Sequence, residues 1–220
     1  MRSAARSCIF IFLVLVAACG SAGATTATTS SAPNARALAA LASTGAVMTP
    51  TFAVRVSPRL DWTAPIADAR EIMRWFDSDV AAALAERGLQ HGWVLASDLA
   101  ASYKRNPTYA ADPYALAEEP LRAAGFTAGT RLPEPLASQL RTMIALHEGA
   151  RMVLLPVELS FEPAENAPKA ARGSLKIVLV DPRFSEVLWV GAVRSGAANA
   201  DPRPVTADLA KRVVDLIVSR

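Results

Sequence analysis

The pattern of apolar residues predicts an α/β protein: a mixed sheet of about five strands, ending in a three-strand antiparallel meander, with helices packed on it. Three observations carry this. A strand period gives way to a helix period between Thr51 and Gly88, three alternating segments joined by turn sequences follow one another from Val153 to Val193, and an apolar stripe at helical spacing closes the chain. A crossover followed by hairpins puts parallel and antiparallel pairs in one sheet, and helices cover its faces.

The first strand is set by Phe52, Val54 and Val56, which alternate with Ala53, Arg55 and Ser57 as a half-buried strand does. Beyond the turn region from Pro58 to Pro65, Ile72, Met73, Phe76, Val80 and Leu84 recur at three and four, and Gly88 stands where a helix end favours a left-handed residue. Trp93, Val94 and Leu95 form a second short strand, and Ser97 or Asp98 caps a helix through Ala100, Ala101 and Tyr103. Asn106 to Pro120 is irregular, because Pro107, Pro113 and Pro120 break any long element; it carries Tyr109 and Tyr114. Helical spacing returns from Glu134 to His147 through Leu136, Leu140, Met143 and Ile144.

In the meander, Val153, Leu155, Val157, Leu159 and Phe161 are expected to face one way, and Leu154, Glu158, Ser160 and Glu162 the other. Leu175, Ile177 and Leu179 alternate similarly, followed by Val187, Trp189 and Val193. Asn166 to Gly173 is polar enough for one hairpin loop, and Asp181-Pro182-Arg183 opens a tight turn for the next. Pro156 donates no ladder hydrogen bond, which places it at a bulge or an unpaired position. Val205, Leu209, Val213, Leu216 and Ile217 make the stripe of the last helix.

The N-terminus reads differently. Arg2 and Arg6 precede an almost wholly apolar run from Cys8 to Ala18, about half of the ~20 residues a helix needs to span a bilayer, so residues 1–18 read as a signal peptide. Gly20 to Pro33 holds only Gly, Ser, Ala and Thr before its proline, and residues 19–50 are expected to be a flexible tether of about 30 Å mean reach. Asn34 to Ser43 has Leu38 and Leu41 at helical spacing, so a short helix is an alternative there. The folded domain is then 51–220.

Charge excludes some function classes. The 23 Lys plus Arg face 20 Asp plus Glu, and loss of Arg2 and Arg6 leaves 21 against 20, interspersed along every segment. A nucleic-acid binder needs a clustered basic face, so no nucleic acid is expected. Near-neutrality also gives no polybasic hold on anionic lipid, which leaves acyl chains as the means of membrane attachment. With Cys8 removed and Cys19 lipidated, the domain keeps no thiol, and a buried core rather than a disulfide must stabilise it.

Val16-Ala17-Ala18-Cys19 resembles the lipobox of bacterial lipoproteins. The resemblance implies a covalent diacylglycerol and N-acyl lipid on Cys19, and Gly20, not being a retention Asp, implies the periplasmic face of the outer membrane. The order of elements from Thr51 to Arg220 is similar to the α/β domain of envelope lipoproteins of the CsgG type, LpoB and the N-terminal domain of TolB. The segments that carry it are Ala150 to Val157, Leu179-Val180-Asp181-Pro182-Arg183 and Val187-Leu188-Trp189-Val190-Gly191. It implies no catalytic residues.

Catalytic signals are sparse. The chain has two histidines, His91 and His147, too few with no thiol to make a zinc site of ordinary composition, so no metal is expected. His91 is expected in a solvated turn and His147 at a helix C-terminus, where an imidazolium meets the dipole favourably. Ser97-Asp98 and Ser185-Glu186 read as turn and capping residues, Glu118-Glu119 as a solvated face, and there is no nucleophile elbow or phosphate loop. Trp189 on an alternating strand reads as core, whereas Trp62 with Trp75, or Tyr109 with Tyr114, are candidates for an exposed partner-binding patch.

These features favour a non-enzymatic, membrane-anchored lipoprotein with an envelope protein partner or a second copy of itself, working in envelope assembly, transport or cell-wall regulation. A small-ligand or glycan-binding module using the Tyr109–Tyr114 loop is the alternative. A hydrolase built on His147 ranks third.

Overall fold

A computed structural model describes residues 32–60, 62, 68–123, 125–147 and 149–218. The signal peptide, Cys19 and the start of the tether lie outside these residues. Helices α1 (Ala32–Thr44), α2 (Ala69–Glu86), α3 (Ala96–Arg105), α4 (Leu136–Ala145) and α5 (Pro202–Val218) surround a sheet of β1 (Val47–Met48), β2 (Ala53–Val56), β3 (Val153–Ala164), β4 (Ala167–Asp181) and β5 (Glu186–Arg194). The fold is α/β with a mixed five-stranded sheet, and β3, β4 and β5 are its antiparallel meander.

Both β1 and β2 lie parallel to the same side of β3, with Val47 opposite Val153 and Val56 opposite Phe161. They are two halves of one edge strand, interrupted at Thr49 to Phe52. Trp93–Leu95, expected as a strand, contributes a single bridge from Val94 to Val47.

The ordered fold begins earlier than Thr51, which corrects the expected domain boundary. Leu38 and Leu41 of α1 are buried in the main core, and Gly45 N–H closes the helix on the Leu41 carbonyl at 2.9 Å. Gly45 has φ +66°, and a Cβ there would stand 2.0 Å from the Gly92 carbonyl oxygen, so only glycine fits. The short helix considered for residues 34–43 is therefore the one formed, and the chain from Ala32 to Pro50 belongs to the fold.

Two cores lie on opposite faces of the sheet. One joins α1, α2 and α5 to Leu154, Leu159, Phe161, Leu175, Ile177, Leu179 and Trp189; the other joins α4, Leu99 and the loop before α4 to Val153, Leu155, Val157, Val178, Val180 and Val187. The single-faced alternation expected from Val153 to Phe161 is thereby corrected. Pairing slips between Pro156 and Glu158, Val157 is the extra residue, and the side chains beyond it change faces. That is the bulge anticipated for Pro156.

The α2 stripe buries Ile72, Phe76, Val80 and Leu84, and Gly88 has φ +68° just past its end. At the start of α3 the expected cap is shifted: the helix begins at Ala96, and Asp98 inside its first turn accepts the Leu95 N–H at 3.0 Å. Helix α5 packs on α2 through its buried face, reinforced by Arg203, whose Nη2 donates to Asp79 at 2.8 Å, and by the Arg87–Asp215 ion pair.

Candidate functional site

The break in the edge strand creates the site. Thr49 N–H bonds the Leu154 carbonyl at 3.2 Å and Phe52 N–H bonds the Pro156 carbonyl at 3.1 Å, so Pro50 and Thr51 stand between two ladder bonds. Neither Pro50 nor Pro156 brings an N–H to the gap. The Thr51 N–H, freed from the ladder, instead donates to the carboxylate of Asp77 on α2.

Asp77 lies within the apolar surface of α2, four residues after Met73 and three before Val80. Burial raises its carboxyl from 3.8 to about 7, opposed by the Thr51 N–H, because the charged form is stripped of water. Its Oδ1 is buried and has no hydrogen-bond partner among the described residues; the same holds for the hydroxyls of Thr49 and Thr51. Both threonines are almost wholly inaccessible, at 0% and 2% exposure. Three buried oxygens without partners, two of them two residues apart in the break between β1 and β2, are costly unmet hydrogen-bonding capacity.

A cleft of about 500 Å³ opens over Asp77 and Thr51, walled by Phe52 and Pro50 from the strand break, Arg70, Met73 and Arg74 from α2, and Pro113, Tyr114 and Glu118 from the proline-broken loop. A side branch of about 320 Å³ runs from Asp77 and Tyr114 to Ser97 at the start of α3, and a basal space of about 10 Å³ lies between Asp77, Thr49, Met48 and Val80. All three meet at Asp77. The loop is tied down on its far side, where Lys176 Nζ donates to the Leu121 carbonyl at 2.6 Å and Ala117 N–H to Gln139 Oε1 at 2.9 Å. Burial lowers the Lys176 ammonium below its ordinary value, with the Glu158 charge opposing. Glu118 pairs with Arg122, and Arg74 lies 4.0 Å from Asp68; no ion pair to Asp77 forms among the described residues.

A larger cleft, about 610 Å³, lies at the β3–β4 hairpin end. Its buried hydroxyl, Ser195, accepts the Gly173 N–H at 3.0 Å and donates to the Ala197 carbonyl at 3.2 Å, so it has no unmet demand.

Of the four aromatic candidates, Tyr114 lines the Asp77 cleft, and it is 64% exposed. Burial together with the charges of Asp77 and Asp112 raises its phenol above the ordinary value, with Arg74 opposing. Tyr109 is 74% exposed on the same loop but does not line the cleft. Trp62 is corrected from patch to core: it is 4% exposed, its ring 5.3 Å from that of Phe161. Trp75 is partly buried under the Arg203 guanidinium, 5.6 Å from its ring, so the two tryptophans make no exposed pair.

His91 is exposed in its turn, as expected. His147 follows α4, and burial lowers its imidazole below 6.5, with Asp98 opposing and Arg105 assisting. The neutral form is thus favoured there, contrary to the imidazolium expected at the helix end. Ser185, with φ 53°, accepts Arg141 Nη1 at 2.5 Å. Sequence reasoning passed over Asp77, Thr49 and Thr51; the available signal was an acidic residue inside the apolar stripe of α2.

No protein-family model matches the chain, and no curated protein does. Among solved structures, the chain is similar to the PelC dodecamer from Paraburkholderia phytofirmans, at 11% identity and a TM-score of 0.34 over 80% of this chain and 88% of that one. A single-substitution form of that protein matches at 12% identity and a TM-score of 0.34, over 77% and 90% of the two chains.

Proposed function

We propose that this protein is a non-enzymatic, lipid-anchored binding module of the bacterial envelope, and that the Asp77 cleft holds a small ligand. The observation that carries the reading is the cleft that Asp77 and Thr51 line together with Tyr114, the Asp77 Oδ1 being left without a hydrogen-bond partner among the described residues. A concave site with apolar walls and a few convergent polar groups is the usual form of a small-molecule site. The strand break supports it, since one ladder position has been given up to aim the Thr51 N–H at Asp77. No cysteine or histidine lines the cleft or its branches among the described residues, and Ser78 and Ser97 of the side branch have no histidine beside them there to act as a base, so binding is favoured over nucleophilic hydrolysis.

Thermal-shift screening of the full chain against envelope metabolites, glycan fragments included, tests this. A stabilising compound whose effect is lost in Asp77→Asn is expected. Absence of stabilisation by every compound contradicts the reading.

Location follows from Cys19: an acylated cysteine would hold the domain at a membrane surface, on the periplasmic face of the outer membrane. No described helix is long and apolar enough to cross a membrane. The 74% exposure of Tyr109 favours a second reading, in which the same loop contacts an envelope protein or a second copy of the chain. A photo-crosslinker at Tyr109 that captures no protein in cells would contradict it.

A further inference from the structure

Strand β5 ends the sheet: β4 pairs with it on one side, and no described strand pairs with it on the other. Its outer side is closed in two places. Val187 exchanges main-chain bonds with Gly129 and Thr130, at 2.8 and 2.9 Å, and just past the strand the Gly196 N–H donates to Asp208 of α5 at 2.6 Å. Leu188 to Arg194 lies between these closures. The Ser195 N–H donates to the Gly173 carbonyl at 2.9 Å, so by alternation Val193, Gly191 and Trp189 direct their main-chain groups at β4, and Arg194, Ala192 and Val190 direct theirs away from it. Those three have no main-chain partner on the outer side among the described residues.

Nothing within this stretch guards it. Edge strands are ordinarily protected by lysine, proline or an inward-pointing charge, and Leu188-Trp189-Val190-Gly191-Ala192-Val193 holds none of them. Ala192 is exposed and Leu188, Val190 and Gly191 are half-buried, which leaves the edge open to a further strand.

We propose that β5 is a self-pairing edge, on which a second copy of this chain lays its own β5 antiparallel, about a two-fold axis at Gly191. The two closures set the register. Gly191 is the midpoint of Leu188 to Arg194, and a shift either way drives an end of the incoming strand towards residues 129–130 or Gly196. In this register outward groups meet outward groups: Val190 of each copy faces Ala192 of the other, and each such pair exchanges both main-chain bonds. The two Gly191 residues meet at a position without hydrogen bonds, where strands approach most closely and the lack of a side chain removes crowding. Trp189 faces Val193 of the second copy, an apolar pair beside the main core. The antiparallel sense sends the two Arg194 guanidinium groups to opposite ends, whereas a parallel pair would set like charges side by side. A two-fold contact satisfies the same groups on both partners with one sequence, and the lipid anchor proposed above would concentrate copies on one surface.

The test follows the full chain in mild detergent by light scattering and by amide exchange, at a low protein concentration and at one a hundredfold higher. The expected result is a monomer that becomes a dimer, with the Val190 and Ala192 amides at least tenfold better protected in the dimer. The Trp189, Gly191 and Val193 amides, already directed at β4, should stay as they were. Ala192→Pro removes an N–H that β4 does not use and should weaken association at least tenfold at an unchanged melting temperature. Ala192→Lys, which changes only an exposed side chain, should weaken it likewise, so a strand disturbed by proline does not decide the outcome. Tyr109→Ala should leave the dimer intact. A monomer at both concentrations, or a dimer whose Val190 and Ala192 amides exchange as in the monomer, would overturn the proposal. A dimer kept in both Ala192 variants and lost in Tyr109→Ala would also overturn it, and would place the contact on the tyrosine loop instead.

Discussion

Asp77→Asn tests the environment assigned to the cleft, because the two residues have the same shape and differ in charge. Burial moves the Asp77 carboxyl from 3.8 to about 7 in the folded chain. A carboxyl that holds its proton more tightly when folded gives stability that is complete below the unfolded value and lost as pH rises through the folded one. Each tenfold step in a protonation equilibrium is about 1.4 kcal/mol, so the full loss is roughly 4 kcal/mol, of which roughly 2.5 kcal/mol falls between pH 5 and pH 8. Asparagine removes this contribution and leaves every other titration in place. Urea unfolding of both proteins at pH 5 and pH 8 should show the stability difference moving in favour of Asp77→Asn by about 2.5 kcal/mol over that interval. Profiles that stay parallel within about 0.5 kcal/mol would refute the buried, uncompensated carboxyl on which the site rests.

Three further outcomes follow from the structure. Gly45→Ala drives a Cβ to 2.0 Å from the Gly92 carbonyl at a positive φ, and should cost about 2 kcal/mol or more by thermal denaturation; an unchanged melting temperature would contradict the α1–β1 corner. Lys176→Met removes the ammonium that holds the Leu121 and Ala123 carbonyls, and should raise amide exchange in residues 117–123 while leaving the α2 and α5 amides protected. Cys19→Ser should abolish incorporation of labelled palmitate, and continued labelling would dismiss the anchor.

The fold was legible wherever one face of an element is buried. The α2 and α5 stripes and the three strands of the meander announce themselves by period, because a residue out of phase would have to put a polar group in one of the two cores. Val153 to Phe161 misled for a physical reason: a bulge reverses the faces without changing composition, and Pro156 marked the place without giving the direction. Residues 32–50 were hidden by composition, since an alanine-rich helix that docks by Leu38 and Leu41 looks like a linker until its partners are in place.

Much less of the site was legible. Its parts come from three separate segments, Thr49 to Phe52, Arg70 to Asp77 and Pro113 to Glu118, and none has a motif of its own. The tyrosine loop was noticed because prolines and exposed rings are conspicuous, and Tyr114 does reach the cleft. Asp77 was passed over because a lone acid beside Phe76 reads as the edge of a stripe; only the fold shows that its Oδ1 is buried and that it lines a cleft with Tyr114 of that loop.

The central claim is that the Asp77 cleft takes up a small molecule, and ligand retention tests it most directly. Native mass spectrometry of the full chain, released from membranes in mild detergent and incubated with an envelope small-molecule extract, should show a bound small-molecule adduct. The adduct should be missing from Asp77→Asn treated identically. Equal adduct in both proteins, or unliganded mass alone in both, would contradict the claim.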